Sequence, residues 1–140
     1  KDGAVIGGYN PKGWASLGGA RPSVAAFLFY ALTSSSSSSS MSFQKLRKVG
    51  GGGLACACDD YDFGISLGPD GLVIGFQRGK ERMAQSKLGT YYERGPDELG
   101  SLFESTGGGC QLVDLKVLVG KYEDGEEIPY SGGVLDMTSG

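Results

Sequence analysis

The residues with most chemical promise are Cys56-Ala57-Cys58, followed at once by Asp59, Asp60 and Asp62. On a strand, positions two apart share a face, so the two thiols would sit side by side. Such a pair could work as a redox dithiol. No His or further Cys lies nearby to complete a metal site, and unpaired cysteines most often act as small buried hydrophobes. The three aspartates lack the D-x-D-x-D-G order of a calcium loop and read as a solvated turn. Two glycine-rich stretches imitate phosphate cradles. Residues 50–53 lack a following Lys-Ser/Thr pair. Residues 75–80 are one residue short, with Glu81 where a magnesium-binding hydroxyl belongs.

Histidine is absent from all 140 residues. That removes Ser-His-Asp and Cys-His catalysis, His-based zinc sites and imidazole switching. Carboxylate or lysine chemistry would have to stand in, and no such constellation assembles. The sequence thus names no catalytic residue, no metal ligand and no cofactor.

The elements that would position these residues read as strands. The length fits a single domain over residues 1–140. The 26 glycines between short apolar runs favour many strands joined by turns. Strands are expected at residues 4–6, ended or bulged by Gly7-Gly8, and at 27–30, which read as buried. Further strands are expected at 43–49 with edge character, 54–58, 63–67 and 72–76. Gly68-Pro69-Asp70-Gly71 marks the hairpin turn. Residues 79–88 are polar enough for a short helix. Residues 111–119 alternate Val113, Leu115, Val117 and Val119 on one face and read as a central strand. Residues 33–42 hold seven consecutive serines, a low-complexity insertion with nothing to bury. An acidic tail begins near residue 121.

Three blocks, taken in order, carry a family resemblance. The first joins Gly7-Gly8-Tyr9, the loop residue Trp14 and Ala26-Phe27-Leu28-Phe29-Tyr30. The second spans residues 54–75, with Phe63-Gly64-Ile65-Ser66-Leu67 at its centre. The third spans 110–120, with Leu112, Leu115 and Val117 at hydrophobic positions. This order resembles the TLDc domain. The wording Gly8-Tyr9-Asn10-Pro11-Lys12-Gly13-Trp14, with Ser86-Lys87-Leu88-Gly89 and Tyr91-Tyr92-Glu93, is similar to its plant branch. Two positions depart from the pattern: Lys116 replaces the usual Glu, and Leu118 the usual Trp. The resemblance implies a mostly β fold with short helices (α+β), a two-sheet antiparallel β-sandwich. It also implies that a helix and strand belonging before Lys1 are missing, so that the chain is a fragment.

For function, the resemblance implies a non-catalytic protein-interaction module. It links the chain to oxidative-stress protection and to binding of the vacuolar proton-pumping ATPase. Tyr9 and Trp14, in a Gly/Pro loop, are the candidate protein contacts, with Pro11 and Gly13 expected to hold the indole outward. The alternative is a thiol-based redox protein or enzyme using Cys56 and Cys58. A second alternative is a nucleic-acid-associated, nuclear protein, resting on Lys45-Leu46-Arg47-Lys48 and Arg78-Gly79-Lys80-Glu81-Arg82. The net charge of −3 argues against it, because non-specific binding depends on neutralising phosphates. No run approaches the ~18 apolar residues of a membrane span, so no membrane insertion is expected. An odd cysteine count suits a reducing compartment, and the expected location is intracellular, cytoplasmic or nuclear. Oligomeric state is not readable from the sequence.

Overall fold

The computed structural model describes residues 4–14, 20–21, 23, 25–32, 41–50, 57–60 and 64–127. The serine run, Cys56, Asp62 and the far end of the acidic tail lie outside the described residues. The chain is mostly β, with two antiparallel sheets.

The smaller sheet has the order β1 (Val5–Tyr9), β3 (Phe27–Leu32), β4 (Ser42–Arg47). The larger has the order β2 (Ala20–Arg21), β5 (Ala57–Asp60), β6 (Gly64–Leu67), β7 (Leu72–Ile74), β8 (Met83–Gln85), β9 (Gly109–Gln111). From β5 to β9 each strand pairs with the next in sequence. Leu67 opposite Leu72 closes the hairpin over Gly68-Pro69-Asp70-Gly71, at the turn expected from those residues.

The two sheets share one core in a sandwich-like arrangement. The smaller sheet contributes Leu28, Tyr30 and Leu46, and the larger Leu67, Leu72, Ile74 and Ala84. Leu88, Tyr92 and Phe103 from the connecting loops complete it. Gly7 and Gly8 neither end nor bulge β1, because the register with β3 runs unbroken from Val5 opposite Ala31 to Tyr9 opposite Phe27. They are small because both faces are crowded. A Cβ on Gly8 would stand 2.5 Å from Leu67 Cδ1 in the facing sheet, and one on Gly7 would strike the Phe29 ring. The outer ring and the sheet contact thus fix both positions.

Other expectations need correction. The helix expected at residues 79–88 is a turn followed by β8. Among the described residues the helical content is one 3-10 turn, Glu104–Thr106. Asp59 and Asp60 are not in a turn; they lie in β5, opposite Ile65 and Gly64. The central strand expected over 111–119 is a strand only to Gln111, and β9 ends the sheet order. The reason is the length of its partner. The antiparallel pairing runs out at Met83 opposite Gln111, so later residues would have to pair with the turn before Met83. There Arg82 adopts a left-handed φ of 61°, and the chain is held by Leu112 N–H donating to Arg82 O and Arg82 Nη1 donating to Val113 O. Leu112 and Leu115 rest against the core, while Val113, Val117, Leu118 and Val119 are exposed.

β4 ends the smaller sheet, as its edge character foretold. Its Arg47 end is tied to the 91–93 loop. Arg47 N–H donates to Glu93 Oε1, Glu93 N–H to Arg47 O, and Val49 N–H to Tyr91 O. A second tie is the buried Tyr30 hydroxyl donating to Asp97. Burial first, then this carboxylate, pushes the Tyr30 pKa up to about 12.

Candidate functional site

Strand alternation sorts the smaller sheet into two faces. The inner positions are Ile6 and Gly8, Leu28 and Tyr30, Gln44 and Leu46. The outer positions follow from the register: Val5, Gly7 and Tyr9; then Ala31, Phe29 and Phe27; then Phe43, Lys45 and Arg47. Outer positions usually carry polar groups. Here four of the nine are aromatic.

The rings form a continuous stripe. Tyr9 and Phe27 lie 5.2 Å apart between centroids, Phe27 and Phe29 6.4 Å, and Phe29 and Phe43 5.8 Å, the last pair edge-on. These separations are within the range of favourable aromatic pairs. Lys45 Nζ sits 4.1 Å from the Phe27 centroid, within cation–π distance. Tyr9 remains 42% exposed and Phe43 54%, while Phe27 and Phe29 are half-buried under their neighbours. No carboxylate occupies any of the nine outer positions; the charges are Lys45 and Arg47 alone.

Of the two expected contacts, Tyr9 belongs to this stripe and Trp14 does not. The turn preceding Trp14 is firm: Gly13 N–H donates to Asn10 O, Lys12 N–H to Asn10 Oδ1, and Asn10 Nδ2 to Gly13 O. It does not hold the indole outward. Trp14 packs against the core, with Nε1 buried and without a hydrogen-bond partner among the described residues. A large apolar ring gains more from that core than from water.

The thiol candidates cannot be assembled into a pair, since Cys56 lies outside the described residues. Cys58 falls in β5, between Ala20 and Ser66 in register. Cys110, on β9, is half-buried, and burial pushes its thiol pKa up, which disfavours the reactive thiolate. Among the described residues no three His, Cys, Asp or Glu side chains gather as a metal site.

No family model, curated protein or solved structure matches this chain.

The basic clusters separate in space and role. Lys45 and Arg47 face outward in β4, whereas Lys48 Nζ turns to the Ser23 carbonyl. Arg78, Lys80 and Arg82 are exposed in the loop between β7 and β8. Sequence reading missed the aromatic face by treating residues 27–30 as buried throughout. A signal was present: Phe43, Lys45 and Arg47 alternate with Leu46, and the register places Phe27 and Phe29 on the polar side of that alternation. Among the described residues no helix is long and apolar enough to cross a membrane.

Proposed function

We propose that the chain is a non-catalytic protein-interaction module of the TLDc type, which binds through the outer face of its smaller sheet. One observation carries this reading: a contiguous aromatic stripe, Tyr9, Phe27, Phe29 and Phe43, on a face where a solvated sheet would alternate to polar residues. Contiguous exposed apolar surface marks interaction sites, and aromatic side chains on rigid strands lose little entropy when they bind. The Gly-Gly-Tyr strand end, the loop tryptophan and the Phe-Leu-Phe-Tyr strand support the family assignment, as does the two-sheet architecture.

By that resemblance, the partner is the vacuolar proton-pumping ATPase, in a setting of oxidative-stress protection. The test is capture of the detergent-solubilised ATPase on the immobilised chain. Phe43→Ser and Tyr9→Ser should each reduce capture at least tenfold while the circular dichroism spectrum is unchanged. Capture undiminished in the doubly substituted chain would remove the aromatic face from the reading.

A further inference from the structure

The outer face is apolar and purely cationic, and the chain itself contains a segment of matching chemistry. Val117, Leu118 and Val119 are 64%, 88% and 87% exposed. They are followed, after Lys121 and Tyr122, by four carboxylates, Glu123, Asp124, Glu126 and Glu127. All four are exposed. A turn orders this acidic part, with Glu126 N–H donating to Glu123 O and Glu123 N–H to Glu126 Oε2. Within one chain the apolar triplet has no strand partner among the described residues.

We propose that residues 117–127 of one copy dock on the aromatic face of a second copy, and the reverse, to form a closed dimer. The proposal rests on the aromatic face being the interaction surface. Three extended residues span ~10 Å, about the width of three strands ~4.8 Å apart. The 117–119 triplet can therefore cross the three strands over Phe27 and Phe29, along the rows that end at Arg47 and Lys45. The carboxylates then meet Lys45 and Arg47, the two charged residues among the nine outer positions, none of which is acidic. Reciprocal exchange satisfies both copies with one self-complementary arrangement, the commonest closed symmetry. The apolar triplet supplies burial. The charges set which end of the segment lies beside β4 and make association salt-dependent.

The experiment is sedimentation equilibrium of the full chain over a concentration series, at low and high salt. The expected result is a dimer that weakens as salt rises. Lys45→Glu with Arg47→Glu should weaken it at least tenfold, as should Leu118→Ser with Val119→Ser. Adding Glu123→Lys and Glu126→Lys to the first pair should restore it. All six positions are exposed, so folding is not at stake, and circular dichroism checks this. A monomer at every concentration overturns the proposal, as does a dimer indifferent to either pair or a concentration-independent docking within one chain. A chain that stays monomeric, yet loses capture of the ATPase on Phe43→Ser, overturns the dimer alone and leaves the proposed function standing.

Discussion

Strand β3 presents two faces built from nearly the same residue types. Inward, Leu28 and Tyr30 are buried against the larger sheet. Outward, Phe27 and Phe29 carry comparable apolar area, but they are only half-buried, and their ring contacts are with each other, Tyr9 and Phe43, with Lys45 over Phe27. Hydrophobicity alone therefore does not say which side of a strand is core. The opposing layer decides. The inner face has one, entered through Gly8 against Leu67, whereas among the described residues no strand of the larger sheet packs on the outer rings.

If that division holds, truncations on the two sides should behave differently. The largest effect is expected at Leu46→Ala, where a fully buried side chain leaves a cavity. Urea denaturation should record a loss of about 2–5 kcal/mol. A loss below ~1 kcal/mol would mean that the core does not depend on the smaller sheet. Trp14→Ala comes next, at roughly 2 kcal/mol by thermal unfolding, below the ~3–5 of a fully buried ring. No loss there would return the indole to the surface, as the turn residues first suggested.

Tyr30→Phe tests the tie to Asp97 and should cost about 1 kcal/mol. It also carries a pH signature. The folded phenol titrates at about 12, above the ~10 of an unfolded tyrosine. The unfolded chain therefore loses this proton first. The stabilisation is complete below pH ~10 and disappears as pH rises through about 12. Stability curves of wild type and Tyr30→Phe should converge over that interval, and parallel curves would sink the assignment. The smallest effect on stability is expected at Phe43→Ser, about 0.5 kcal/mol, the upper end for a surface change. A larger cost would show that the outer rings are part of the fold's own support.

The sequence made the β character legible, and with it the hairpin at Gly68-Pro69-Asp70-Gly71, because turn chemistry is local. The edge position of β4 was also readable from its alternating cations. Residues 111–119 were misread because alternation records what a segment could bury, not whether a partner strand is long enough to receive it. β8 is three residues long, and that fact resides in the turn at Arg82, 31 positions before Val113 and outside any local window. The aromatic face was hidden for a related reason. Every position of β3 is apolar, so the strand shows no period of its own, and only its register with Lys45 and Arg47 separates outside from inside.

The position of Trp14 has an optical consequence. It is the chain's one tryptophan, and its indole lies against the core rather than beside the aromatic stripe. Its emission will therefore report whether the sandwich is intact and remain largely indifferent to what lands on the outer face. Docking there must be read by other means, because Tyr9, at the end of the stripe, is one of seven tyrosines. The single indole thus follows folding apart from association without any added label.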